Sequence, residues 1–205
     1  MMRRLISKCW VAHLRLVRSM RAWPIITLLA IGTSAAFADD PRYYPPDVSS
    51  WASNHLIAMK EPSLFAPQGG ATREEYRFLW LRTFDKPIAL RIWSDGSGAQ
   101  MRIVRLSGAG GYDPGHIESD TTVNVSPEDW RRFRDCIAKA QFWQMPTKES
   151  PTELGFDGSQ WIFEGRDTTK YHVVDRWTPR GGAYADCCRF LITLAKLQIP
   201  KDGFY

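Results

Sequence analysis

Between Tyr76 and Val125 apolar and polar side chains alternate in short runs separated by chain breakers, a pattern that suits extended strands. The runs are Tyr76–Phe84, Ile88–Trp93, Gln100–Leu106 and Ile117–Val125. Pro87, Asp95-Gly96-Ser97-Gly98 and the glycine-rich stretch Gly108–Gly115 separate them. At Ser126 the period changes. Ser126-Pro127-Glu128-Asp129 offers a capping hydroxyl, a proline at the first helical position and acids where the helix dipole favours them. Trp130, Phe133, Ile137 and Ala140 then recur at helical spacing, with Cys136 beside the stripe, until Met145-Pro146 ends it. Two more strands, Gly158–Arg166 and Lys170–Trp177, form a predicted hairpin. Thr178–Gly182 turns the chain into a last helix, Ala183–Leu197, with Tyr184, Cys188, Leu191 and Ala195 on one face. The order ββββαββα predicts an α+β fold: an antiparallel sheet of about six strands with two helices on one face.

The residues before this block divide into two parts. Residues 39–75 open on a proline-rich extended stretch, followed by a short helix over Trp51–Lys60 that Glu61-Pro62 ends. Ala66–Gly70 reads as a linker. Residues 1–38 read as a leader: Arg21 supplies a basic start, Pro24–Gly32 an apolar run, and Ala36-Phe37-Ala38 an A-x-A cleavage site. The apolar run is too short to span a bilayer, and no cysteine sits at the cleavage point to take a lipid. The expectation is a signal peptide cleaved after Ala38, a periplasmic or secreted protein, and no stable membrane anchor. A second basic stretch in residues 1–19 precedes a signal already complete from Met20, so the start is either Met1 or Met20. Residues 76–205 are then a single α+β domain.

Cleavage changes the charge. The chain carries 27 Lys+Arg against 22 Asp+Glu, but six bases and no acids precede Asp39, which leaves 21 bases against 22 acids, a net of −1. Nucleic-acid binding rests on an excess of Lys and Arg over the phosphates, so no nucleic-acid partner is expected. Seven tryptophans remain (Trp51, Trp80, Trp93, Trp130, Trp143, Trp161 and Trp177), rich material for a core. Of the remaining cysteines, Cys136 is expected to pair with Cys187 or Cys188 in an oxidising compartment. Closing about fifty residues this way is worth roughly 2–5 kcal/mol. One thiol is left over, available to the interior or to an intermolecular bridge. No metal site and no cofactor are expected, because no histidine or second cysteine pair stands at ligand spacing.

The hairpin has the best claim to chemistry. A three-residue loop, Asp167-Thr168-Thr169, pairs Arg166 with Lys170, Glu164 with His172 and Gln160 with Arg176. It groups Trp161, Phe163, Tyr171, Val173 and Trp177 on the other face. The outcome is a polar stripe of Gln160, Glu164, His172 and Arg176 around Ile162 and Val174. A carboxylate holding an imidazole beside a guanidinium suits general acid–base work. A solvated face with a cross-strand ion pair is the plainer reading. The same register leaves Asp175 on the apolar face, where it needs a donor, either the final helix terminus or Arg91 of a neighbouring strand. The Ser107–Gly115 loop lacks both phosphate-loop patterns and precedes a strand, which makes it a strand connection. Nucleophile motifs are absent, and His55, His116 and His172 fall in unrelated elements. Trp93, Trp161 or Trp177, where exposed, would stack on the sugar rings of an envelope glycan; core packing is the alternative.

Phe156-Asp157-Gly158-Ser159-Gln160-Trp161-Ile162-Phe163-Glu164-Gly165 and Tyr171-His172-Val173-Val174-Asp175-Arg176-Trp177-Thr178-Pro179 carry a resemblance. With Gly110–Gly115 and Phe142-Trp143, they resemble a group of uncharacterised, exported bacterial proteins over roughly Tyr76 to Leu197. The resemblance implies an exported single-domain protein, and it shares Asp157, Glu164, His172 and Arg176; it carries no activity. The function expected is a non-enzymatic module binding an envelope or protein ligand through the exposed sheet face. A small hydrolase using Glu164 and His172, with Arg176 on an anion, and an assembly component using the spare thiol are the alternatives.

Overall fold

Six strands form one antiparallel sheet in the computed structural model, which describes residues 43–48, 50–66, 72–149, 157–200 and 203–204. The leader, its cleavage site and most of the 66–70 linker lie outside the described residues. The chain divides into Met1–Ala36 and Phe37–Tyr205, and every described residue belongs to the second unit. The strands are β1 (Glu74–Arg82), β2 (Ile88–Ser94), β3 (Ala99–Leu106), β4 (Ile117–Val125), β5 (Ser159–Arg166) and β6 (Tyr171–Trp177). Their spatial order is β4-β3-β2-β1-β5-β6, so β5 returns beside β1 after the long excursion through β2, β3 and β4. The fold is α+β.

Three α-helices cover the sheet: α1 (Ser53–Ala58), α2 (Pro127–Lys139) and α3 (Ala183–Leu194). Ser126 caps α2 by accepting from the Asp129 amide at 3.0 Å, with Pro127 in the first turn. α2 stops at Lys139, and a 3-10 turn at Phe142–Gln144 completes the segment that periodicity alone carries to Met145. α2 and α3 lie together on one face and bury Tyr76, Phe78, Trp80, Ile92, Trp161 and Phe163. Cys136 of α2 pairs with Cys187 of α3, Cα to Cα 5.6 Å, which decides between the two partners the spacing leaves open. Gly165 is required here. A Cβ on it would stand 2.6 Å from the Phe142 ring and 2.8 Å from that of Tyr76.

The opposite face is covered as well, by residues 43–65. Tyr44, Val48, Ala52, Leu56 and Met59 pack on Leu79, Leu81, Ala89, Val104, Leu106, Ile162 and Val173. The stretch read as an extended lead-in is therefore part of the fold, and among the described residues both faces of β1 and β2 are covered, while β4 stays largely exposed.

The hairpin register differs from the predicted one. Its loop has four residues, Asp167–Lys170, and Arg166 pairs with Tyr171, Gly165 with His172, Glu164 with Val173 and Gln160 with Trp177. The Asp167 carboxylate explains this. It accepts from the amides of Thr169 at 2.7 Å and Lys170 at 3.0 Å, holding a turn that needs no positive φ at either threonine. A slip of one residue sends each side chain of β6 to the other face. His172, Val174 and Arg176 thus join Trp161 and Phe163 on the helix side, while Tyr171, Val173 and Asp175 join Gln160, Ile162 and Glu164 on the cover side, with Trp177 exposed at the strand end.

Candidate functional site

The stripe of Gln160, Glu164, His172 and Arg176 does not form. Glu164 and His172 are on opposite faces of the sheet, so the acid–base pair of the hydrolase reading has no geometry in this fold. His172 packs edge-on against Phe142 at 5.1 Å, and burial with the nearby Arg176 charge holds its pKa below the ordinary value. Arg176 clamps the 146–147 segment, donating to the carbonyls of Pro146 at 2.8 Å and Thr147 at 2.9 Å. Asp175 neither caps α3 nor meets Arg91. The Gln160 amide donates to it, and burial raises its pKa.

Glu164 is fully buried and belongs to a charge network that runs across the sheet. The register sets Glu164, Arg77, Arg91 and Arg102 side by side on β5, β1, β2 and β3. Arg77 donates to Glu164 Oε2 through Nε at 2.8 Å and Nη2 at 2.5 Å, and the Tyr171 hydroxyl donates to Oε1 at 2.9 Å. Burial pushes the Glu164 carboxyl upward against these donors. Glu61, from the cover, sits over the arginines with no exposed side-chain surface. It meets Arg77 at 3.5 Å, Arg91 at 2.7 Å and Arg102 at 2.5 Å. Arg77 also donates to the Pro62 carbonyl at 2.6 Å and Arg102 to that of Met59 at 3.0 Å. These charges are mutually satisfied, with Arg77, Glu61 and Glu164 closed to solvent and Arg102 reaching out to the exposed Asp120 of β4 at 2.7 Å, so the ladder holds the cover on the sheet. Sequence reading missed it because Arg77, Arg91 and Arg102 look like the polar, outward positions of half-buried strands.

Among the described residues an open cleft lies at the end of the sheet, around the β2–β3 turn. A cleft of about 550 Å³ is lined by Trp93, Asp95, Ser97, Gln100 and Asn124, with Pro127 and Trp130 from the start of α2. The register places Trp93 beside Gln100 and Gln100 beside Asn124, which aligns an indole and two amides in one row. The guanidinium groups of Arg73 and Arg91 lie over the Trp93 ring at 4.8 and 4.7 Å and fix it in the wall. Asp95 accepts from the Ser97 amide at 2.9 Å and its hydroxyl at 2.7 Å, and these bonds hold its carboxyl below the ordinary value, hence ionised. It is the one charged side chain among the lining residues. Trp93 is thus the member of the predicted aromatic trio that reaches a cleft. Trp161 is core, donating to Ser159 Oγ at 2.7 Å, and Trp177 is exposed at the end of the β6 edge strand. Trp130 reads in sequence as helix core; it is half-buried and serves both core and cleft.

The remaining candidates resolve plainly. The Ser107–Gly115 loop is a strand connection whose amides are spent on backbone carbonyls. Gly108 donates to Pro114, Ala109 to Asp113, Gly110 to Asp85 and Gly111 to Thr83, at 2.9 to 3.1 Å. Nothing is left there for a phosphate. The spare thiol of Cys188 is buried in the helix-side core, and burial pushes its pKa far up. An intermolecular bridge through it would require opening that core, which removes the geometry for the assembly reading. No family model matches the sequence, and no curated protein matches it.

Proposed function

We propose that the protein is a non-enzymatic binding module of the periplasm or the cell exterior, and that it takes an envelope or protein ligand in the cleft at the β2–β3 turn. One observation carries this reading: the cleft sets Trp93 and Trp130 beside Asp95, Ser97, Gln100 and Asn124 on a rigid sheet end. Aromatic surface with a few fixed polar groups is the usual composition of a ligand site. The cover over the central strands favours this end over the open face that the strand pattern suggested. The leader-like residues 1–38 and a mature net charge of −1 support export and a partner other than nucleic acid.

Tryptophan fluorescence of the purified protein, titrated with envelope glycan fragments and with peptides, tests the reading. Gln100→Ala and Asn124→Ala, both at exposed positions, should each weaken the response without lowering the thermal midpoint by more than a few degrees. A full screen that leaves the emission unchanged, or binding that both variants retain intact, counts against it. The site of action is tested by mass spectrometry of the native chain. An amino terminus near Asp39 is expected, and an intact leader on the working protein would remove export from the reading.

A further inference from the structure

We propose that the ligand is an extended segment of a partner protein that adds as a strand to the outer edge of β4 and places a lysine or arginine side chain in the cleft. This inference rests on the cleft reading above. It starts from the two edges of the sheet, which are finished differently. On β6 the Asp175 amide donates to the Thr147 carbonyl at 2.7 Å and Arg176 grips the same carbonyl, so the 146–147 segment closes that edge. β4 is the other edge, and among the described residues β3 is its single strand neighbour. Its sequence, IESDTTVNV, contains no proline or lysine, the residues that commonly protect an edge. A bulge against Arg105/Leu106 falls at its first residues, so the register from Ser119 to Val125 is regular. In such a strand alternate amides and carbonyls point away from the neighbour, a ready template for an added strand.

The edge runs directly into the cleft. Asn124 and Val125, the last residues of β4, are lining residues, and Pro127 and Trp130 follow as α2 begins. A strand paired to β4 therefore delivers side chains past Trp130 and toward Asp95. The chemistry there selects their type. The Trp130 indole and the ionised Asp95 carboxylate favour a cationic side chain, which gains from a ring face and from the charge together, while the Trp93 ring already carries Arg73 and Arg91. A second copy of β4 fits less well, because its charged residues are Glu118 and Asp120 and it offers the cleft no base.

The test uses a synthetic nonapeptide alternating threonine and valine around one central lysine. Matched peptides carry glutamate in place of the lysine, or N-methyl groups on alternate amides. Amide exchange of β4 and tryptophan emission are followed together. The lysine peptide should slow exchange between Ser119 and Val125 and shift the emission. The glutamate and N-methyl peptides, and Asp95→Asn with the lysine peptide, should each bind roughly tenfold or more weakly. Equal binding of the lysine and glutamate peptides, or an emission change with β4 exchange unaltered, overturns the inference. So does protection of β4 that appears only with rising protein concentration, which would make the occupant a second copy. Glycan fragments that alter the emission while no peptide does would sink the strand-addition proposal and leave the cleft reading standing; silence from every probe would sink both.

Discussion

Along β1, Tyr76, Phe78 and Trp80 point toward α2 and α3, while Glu75, Arg77, Leu79 and Leu81 point toward the 43–65 cover. One strand thus serves two interiors of different chemistry. The helix side is a mesh of rings, with Tyr76, Phe133, Phe142, Phe163 and Tyr184 in mutual contact, and a disulfide ties its two helices. The cover side has a smaller aliphatic cluster and a row of ionised groups, in which three arginines share Glu61. Apolar packing tolerates small rearrangements, whereas a buried charge needs each of its partners. The difference teaches that a segment with one short helix can be held on a sheet both by its apolar residues and by carboxylates and carbonyls placed over guanidinium groups.

The sharpest way to break this comparison is to remove one partner of the ladder. Glu164→Ala leaves Arg77 buried and short of its main counter-charge, and should cost about 3–5 kcal/mol in urea unfolding. The double replacement Arg77→Met, Glu164→Leu makes that part of the cover side resemble the helix side. It should recover most of the loss or exceed the parent, because neither desolvated charge remains. A double variant as unstable as Glu164→Ala would show that the arginine's bonds to Pro62 and Glu61 dominate, and that the ladder cannot be traded for packing.

On the helix side the matching perturbation is Cys136→Ala with Cys187→Ala, which frees a 51-residue separation and should cost about 2–4 kcal/mol. Hydrogen exchange should quicken in α2 and α3 and stay slow in the amides of residues 55–61. Equal quickening on both sides would mean that the two interiors open as one unit.

How much of this was legible in the sequence follows the same division. Tyr76, Phe78 and Trp80 at period two, and Trp130, Phe133 and Ile137 at helical spacing, announced the helix side, since apolar burial leaves a periodic trace. The cover side left none. Arg77, Arg91 and Arg102 occupy alternate strand positions as solvent-facing arginines would, and Glu61 stands before a proline in what reads as a loop. Only the three-dimensional register makes them neighbours. The hairpin slip has a different origin: the choice between a three- and a four-residue loop turned on Asp167 caging two amides, a local device that polar–apolar sorting does not detect. The cleft was half visible, because Trp93 and the Asp95–Gly98 turn stood out while Gln100, Asn124 and Trp130 converge on them only through the fold.

The cover side buries His55 and the helix side half-buries His172, which gives a smaller and graded test. Burial lowers the pKa of His55 on the cover side. On the helix side burial lowers that of His172, and the nearby Arg176 charge adds to it. Both are therefore neutral in the fold, whereas in the unfolded chain they take a proton near the ordinary value of about 6.5. The unfolded state then binds more protons, so stability is complete above that value and falls as pH drops through it. Urea midpoints at pH 7.5 and 5.5 should differ in that direction. His55→Gln and His172→Gln should each remove part of the difference. A midpoint that rises on acidification would mean that Glu164 and Asp175, whose pKa values burial raises, outweigh the two rings.

The smallest effect is expected where the chemistry of the ladder recurs in water. Arg131 on α2 bonds Glu128 at 2.9 Å and Asp135 at 2.9 Å, distances no worse than those around Glu61, yet its side chain is 61% exposed. Solvent already satisfies these groups and screens their attraction, and holding three long side chains in register costs entropy. Arg131→Ala should accordingly change stability by about 0.5 kcal/mol or less. The ratio of this loss to that of Glu164→Ala measures what burial adds to an otherwise similar arginine–carboxylate contact. A loss from Arg131→Ala approaching that of Glu164→Ala would mean that geometry, and not desolvation, sets the strength of both.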